Sequence, residues 1–193
     1  VYLTYRLLRG SGELRLRLRP FMHFRQHEQA LDRPLEDHYR VTALGSQVEI
    51  EAPSVASSAN CGDTYPPLRM LPATEAGALV LDGGHFRDIF YRLEFRRGYE
   101  ARGTVWSPGY FRFNLAEGET AGLVASTEEW ETLLALTPQE AWDAEIERRR
   151  RLLEMAAPEA RRGPASQLVL GADQFIVSPI TRAGDVARAL ASG

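Results

Sequence analysis

The sequence predicts a mainly β protein: an antiparallel β-sandwich carrying a helical extension at its C-terminal end. Three observations point there. Up to residue 125 the chain is a series of short β-rich or alternating runs, closely spaced and separated by Gly and Pro, the pattern of antiparallel sheets packed face to face. At Ser126 the pattern changes to helix-start signals. Strands and helices do not alternate along the chain, which argues against a doubly wound nucleotide fold. Gly10-x-Gly12, Gly83-Gly84 and Gly118 also lack the spacing and the following helix that a phosphate cradle needs.

Taken in order, Val1–Leu8 and Glu13–Arg19 read as two strands. Arg9-Gly10-Ser11-Gly12 between them is hairpin punctuation, since Gly supplies the positive φ of a tight turn. Leu14, Leu16 and Leu18 share one face and Arg15, Arg17 and Arg19 the other, which describes a half-buried strand with one wet side. The polar stretch Arg25–Asp37 reads as loop. A second hairpin joins Tyr39–Ala43 to Gln47–Ala52 through Leu44-Gly45-Ser46. Pro53–Tyr65 has no period and reads as a long connection. Strand-like pieces return at Leu68–Leu71, Ala78–Leu81, Asp88–Arg96, Thr104–Trp106, Tyr110–Leu115 and Thr120–Ala125, with turns expected at Gly77, Gly83-Gly84, Gly98, Pro108-Gly109 and Gly118.

Ser126-Thr127-Glu128-Glu129 has the form of a capping box and predicts a short helix. Thr137-Pro138-Gln139-Glu140 repeats the start signal, with Thr as cap and Pro at the first helical position. That helix should run from about Pro138 to Ala156, with Trp142, Ile146, Leu153 and Ala156 on one side. The Ala- and Arg-rich piece between Pro158 and Pro164 reads as a linker. The expected division is a β-sandwich accessory domain over 1–125 and a helical linker over 126–193.

Composition narrows the function classes. The chain has 193 residues, 44% of them hydrophobic and 25% charged, within the range of one folded globular core. A net charge of −3 gives no global field for phosphates, so a nucleic-acid partner would need a local basic patch. The run Arg148–Arg151 points in every direction around a helix and has glutamates at i,i+4 spacing, Glu145 to Arg149 and Glu147 to Arg151. A solvated, ion-paired helix is the expectation, with no nucleic-acid partner. All 23 basic side chains are arginine, the bias of a GC-rich genome. Cys61 is alone, which rules out an intrachain disulfide and multi-thiolate metal sites and suits a reducing cytoplasm. No run of ~18 apolar residues suggests a membrane span. His23 and His27 are four apart, with Glu28 beside them. On a helix that is a metal-ligand spacing, but Pro20 and the residues after it read as strand or loop, so the expectation is no metal and no cofactor.

Several motifs carry a family resemblance. Tyr91-x-x-Glu94-x-x-Arg97-Gly98-Tyr99-Glu100, followed by Trp106-Ser107-Pro108-Gly109-Tyr110-Phe111, resembles the N-terminal domain of bacterial and archaeal glycogen-debranching enzymes of the amylo-α-1,6-glucosidase type. Leu18-Arg19-Pro20-Phe21 and Phe24-Arg25-Gln26-His27 are similar to an earlier landmark of that domain. Gln167–Val177, closing on Ala-Asp-Gln-Phe-Ile-Val, resembles the segment that leads into the catalytic helical barrel. The chain departs from the family pattern at Glu100, where an Asp is usual, and at Gly103-Thr104, where an acidic pair is usual.

The resemblance implies a β-supersandwich that docks on an (α/α)6 barrel. It implies that the chain stops before the catalytic carboxylates, so that no residue here is catalytic and the partner of the parent enzyme is an α-glucan such as glycogen or a limit dextrin. Inverting hydrolysis needs two carboxyls roughly 6.5–9.5 Å apart. Glu94 and Glu100 are the best local pair, yet Glu94 reads as a partner of Arg96, Arg97 or Arg102 that holds the turn. Arg97, Tyr99, Trp106 and Tyr110 could form one rim of a glucan groove, because aromatic rings stack on the apolar face of glucose while charged groups take its hydroxyls. The competing account, the commoner one for buried aromatics, is that Trp106 and Phe111 or Phe113 are core of the sandwich. His27, Asp173 and Phe175 are the candidates for the interface with the barrel. The competing reading is a freestanding interaction module whose helical tail binds a protein partner.

Overall fold

The computed structural model describes residues 1–25, 30–32, 39–52, 65–74 and 77–176. Expectations placed on residues 53–64, on 26–29 and 33–37 of the expected loop with His27 and Glu28, and on Val177 onward therefore lie outside the described residues. The chain divides into two compact units between Pro138 and Gln139.

The first unit holds two antiparallel sheets. Its strands are β1 (Tyr2–Arg6), β2 (Leu14–Leu18), β3 (Arg40–Leu44), β4 (Gln47–Glu51), β5 (Leu68–Pro72), β6 (Ala78–Phe90), β7 (Arg102–Leu115) and β8 (Thr120–Ser126). One sheet has the order β1-β8-β5-β4-β3 and the other β2-β7-β6. The predicted fold class is the observed one: the chain is mainly β, and apart from a short helix at Arg92–Arg96 its helices lie towards the C-terminal end.

Alternation builds the core. Along β4, Val48 and Ile50 are buried; along β7, Phe111, Phe113 and Leu115 are; along β8, Ala121 and Leu123 are. With Met22 and Met70 these side chains form one cluster drawn from both sheets, which is what a sandwich requires of two amphipathic sheets. Leu16 and Leu18 pack against it, so the predicted face of β2 is the inward one. The β3–β4 hairpin forms as expected, turning through Gly45 at φ 61°.

Several sequence expectations are corrected. β1 and β2 are not a hairpin. β1 pairs with β8 and β2 with β7, in different sheets. The link between them crosses from one layer to the other alongside the β7–β8 connection. There Leu7 N–H donates to the Glu119 carbonyl at 3.0 Å, Gly118 N–H to the Leu7 carbonyl at 2.8 Å, and Gly10 N–H to Glu117 Oε2 at 3.2 Å. Glycine marks where a chain turns; the long-range ladder decides which sheet it enters.

Gly83-Gly84 and Pro108-Gly109 are likewise not turns but lie inside β6 and β7. Asp88–Arg96 is strand only to Phe90, after which Arg92–Arg96 forms a short helix, α1. The capping box at Ser126 does not form. Ser126 Oγ accepts from Glu128 N–H at 3.1 Å, and helix α2 (Trp130–Leu134) begins after Glu129, which makes no side-chain cap. The stronger anchor is Arg69, buried to 7% exposure. It donates to Glu49 at 2.7 Å, to Glu129 at 2.9 Å and to the Glu128 carbonyl at 2.8 Å, tying the start of α2 to the sheet.

The second unit contains α3 (Pro138–Met155), a 3-10 turn at Pro158–Ala160, and α4 (Gly163–Asp173). α3 matches its predicted span within a residue. The expected linker is instead the 3-10 turn and the start of α4, with Pro164 at a helix N-terminus, where its missing N–H costs nothing. On α3 the predicted pairs form: Glu145 accepts from Arg149 and Glu147 from Arg151, each at 2.7 Å. Arg148 and Arg150 join the same carboxylates and reach Asp173 and Glu154.

Replacing Phe111 by Ala, which removes a fully buried ring, should destabilise the first unit by about 3–5 kcal/mol in urea unfolding. Hydrogen bonds from Arg148 and Arg149 hold Glu145 at about 2, against an ordinary 4.5, and those from Arg150 and Arg151 do the same for Glu147. Their folded values lie below the unfolded one, so this contribution to α3 is complete above pH 4.5 and is lost as pH falls towards 2. Circular dichroism at 222 nm should weaken across that window, and less so in 1 M salt, where these exposed pairs are already screened.

Candidate functional site

The irregularity shared by β6 and β7 organises the most chemically varied part of the surface. Leu81 pairs with Gly109 and His85 with Ser107, so Asp82, Gly83 and Gly84 stand opposite Pro108 alone. Such a bulge re-aims side chains and interrupts the ladder. Proline suits the position because it has no N–H to leave unpaired. Buried Ser107 supplies what the ladder lacks: its Oγ–H donates to the Gly109 carbonyl at 2.9 Å, and the same oxygen accepts from Gly109 N–H at 3.4 Å. A side chain on Gly109 would overlap the Val80 carbonyl. Gly84, at φ 83°, lies beneath the Trp106 indole, where a Cβ would stand 2.8 Å from its Nε1. The Ser-Pro-Gly and Gly-Gly motifs are thus two halves of one feature.

Around it, Arg19 makes a two-fold ion pair with Asp82, and His85 Nε2 lies 3.1 Å from Asp82 Oδ2. The hydrogen bond from Arg19 holds the Asp82 carboxyl below its ordinary value, and the guanidinium charge and His85 add to this. Arg17 and Arg19 lie over the Tyr110 ring at 5.0 and 5.4 Å from its centroid, within cation–π range. Trp106 is half-buried. It packs on Tyr39 at 5.0 Å and joins a row of rings that continues through Phe24 to Tyr65.

Beside that row is a shallow cleft of about 270 Å3 lined by His23, Phe24, Arg25, Tyr65, Pro66 and Thr127 among others. Among the described residues no group of three or more His, Cys, Asp or Glu side chains could hold a metal ion, and no helix is long and apolar enough to cross a membrane.

The four residues of the expected glucan rim do not converge. Trp106 and Tyr110 lie four positions apart on β7, about 13 Å at strand rise. Arg97 and Tyr99 sit beyond the other end of that strand, around α1. They are exposed, Tyr99 at 67%. Gly98 between them has φ 78°. Glu94 and Glu100 are engaged locally: Glu94 pairs with Arg97 at 3.4 Å, and Glu100 accepts from the N–H groups of Ala101 at 2.9 Å and Arg102 at 3.0 Å. Of the interface candidates, Asp173 pairs with Arg148 inside the second unit, Phe175 is 87% exposed, and His27 lies outside the described residues. In the sequence Arg17 and Arg19 stand out only as the wet face of a strand, and Asp82 and His85 carry no functional signal of their own. The Gly-Gly between Asp82 and His85 was the available signal, read there as a turn.

Asp82→Asn should lower the thermal midpoint slightly at pH 7 by releasing Arg19, since a partly exposed ion pair adds little. The folded Asp82 carboxyl is depressed, so its contribution is present above the ordinary carboxylate value and disappears as pH falls through the lower folded one. Melting curves of the two proteins should therefore converge in strong acid; a pH-independent gap would refute the ion-pair explanation.

A family model described as glycogen debranching enzyme N terminal matches residues 1–122. No curated protein and no solved structure matches the chain.

Proposed function

Because the chain belongs to the family of glycogen debranching enzyme N-terminal domains, we propose that it serves as the non-catalytic accessory part of such an enzyme. In this reading residues 1–125 form the accessory domain and 126–193 lead towards a catalytic (α/α)6 barrel that carries the hydrolytic carboxylates and acts on branched α-glucan. The observation that carries it is the family match, which extends over both sheets from β1 into β8.

Two features support the assignment. Glu94 and Glu100 are tied to neighbouring arginine and backbone N–H groups around α1. Inverting hydrolysis of a glycosidic bond needs instead two carboxyls free to face each other across a sugar-sized gap. The end of the β6–α1–β7 arm presents Phe86, Phe90, Leu93, Phe95 and Tyr99 to the exterior, and an apolar group of that size suits packing against another domain. Arg97 and Tyr99 belong to this arm and serve its contacts, whereas Trp106 and Tyr110 act further along the sheet. Phe175, exposed after α4, is assigned to the approach to the barrel together with His27 and Asp173. The setting is cytoplasmic.

Incubated with a phosphorylase limit dextrin, the 193-residue chain should release no glucose above a blank, and sustained release would overturn the accessory role. In a debranching enzyme carrying this domain, Phe86→Ser with Phe95→Ser should lower thermal stability of the whole protein while leaving the fold of the isolated domain intact. No difference between the two settings would remove the arm as a docking surface.

A further inference from the structure

The outer face of the three-stranded sheet has a charge pattern found nowhere else in the described residues. Arg15, Arg17 and Arg19 project away from the core on β2 or just past its end, since Leu16 and Leu18 face inward. Arg17 stands directly opposite Arg112 of β7, and Arg15 opposite Asn114. Like charges facing across an antiparallel pair are destabilising. Elsewhere in the sheets arginines lie opposite acids or uncharged residues: Arg40 opposite Glu51, Arg69 opposite Glu49, Arg6 opposite Thr120, Arg87 opposite Val105 and Arg102 opposite Phe90. Each arginine of the run on α3 has a carboxylate as well. Here Asp82 neutralises Arg19, while Arg15, Arg17 and Arg112 have no acidic partner among the described residues, and Glu13 just before β2 pairs with none of them. Blunting of an edge strand by charge would account for arginines on β2. It does not account for Arg112, which lies on the central strand β7.

We propose that this face, centred on Arg17, Arg112, Arg19 and Tyr110, is a binding site for the oxyanion of a phosphate ester. Cross-strand neighbours hold Arg17 and Arg112 side by side, and Arg19 follows one step along the same face, roughly 7 Å away by strand rise. Tyr110 stacks under Arg17 and Arg19, and Asp82 fixes Arg19, so two of the three guanidiniums are oriented before a ligand arrives. A planar carboxylate occupies one guanidinium fork. A phosphate monoester offers three terminal oxygens and close to two negative charges to guanidiniums approaching from several sides. The ester is borne either on a free sugar phosphate or on an α-glucan chain; the second source rests on the proposed function, the site itself does not.

The test is a titration of the 193-residue chain with inorganic phosphate at constant ionic strength, following the Nε–H signals of Arg17, Arg19 and Arg112 and the ring of Tyr110 by NMR. Saturable shifts at these four residues are expected, weakened at least about tenfold by Arg112→Gln, as suits loss of a charge-assisted hydrogen bond. Arg112→Glu should abolish them while raising the phosphate-free thermal midpoint by about 1–3 °C, because it converts a repulsive cross-strand pair into an attractive one. No saturable shift in the wild type, an unchanged response in Arg112→Gln, or equal displacement by polyglutamate would overturn the site. Glucose 6-phosphate and phosphate-bearing glycogen, the latter compared with phosphatase-treated glycogen, then separate the sources. Retention that depends on the glycogen phosphate identifies the chain-borne ester. Binding of glucose 6-phosphate alone identifies the free one, leaving the glucan reading to its own assay.

Discussion

The period-two alternation of one long strand, β7, is the constraint on which the rest of the first unit depends. Its inward residues Phe111, Phe113 and Leu115 join Val48, Ile50 and Leu123 of the opposing sheet in one core, while β2 and β6 pair on its two sides. At Ser107-Pro108-Gly109 the strand cannot continue a regular ladder. The buried Ser107 hydroxyl then satisfies the Gly109 backbone, since an unpaired polar group there would lose the water it had without replacement. The position of Asp82 and His85, and hence of Arg19 over Tyr110, follows from that one local departure.

Two kinds of arginine chemistry coexist in the chain. On α3 the guanidiniums are solvated partners of near glutamates, each pair adding little by itself in water. Arg69 is of another kind. It is buried, and it bonds two carboxylates and a carbonyl, so it fixes where α2 meets the sheet. A residue-type bias across the sequence therefore says nothing about role; surroundings separate a surface pair from a structural anchor.

Local signals in the sequence were sufficient for the mainly β class, the β3–β4 hairpin, the inward face of β2 and the span of α3. Each depends on neighbours within a few positions: alternation, a glycine at a tight turn, a proline after a capping threonine. The sequence misled where a local signal had two structural meanings. Gly10 and Gly12 mark a crossing between layers, not a hairpin. Gly83-Gly84 and Pro108-Gly109 mark a shared bulge, in which Gly109 makes room for the Val80 carbonyl and Gly84 for the Trp106 ring, a relation visible only once β6 and β7 are side by side. The candidate site was half legible for the same reason. Trp106 and Tyr110 stood out as aromatics, but the charges around Tyr110 come from β2 and β6, distant in sequence and brought together by the ladder.

The bulge also sets a rule for how this arm can change length. From Leu81 to His85 the chain advances four positions while its neighbour advances two, from Gly109 to Ser107. The two extra residues are taken up where Gly83 and Gly84, both at φ 83°, leave the extended conformation, and regular pairing resumes at His85 and Ser107. A change of length there falls between two intact ladders, Ala78–Leu81 with Gly109–Arg112 and His85–Phe90 with Arg102–Ser107. Insertions at Asp82-Gly83-Gly84 should therefore be absorbed more readily than insertions within either ladder, where a one-residue slip turns a whole face over.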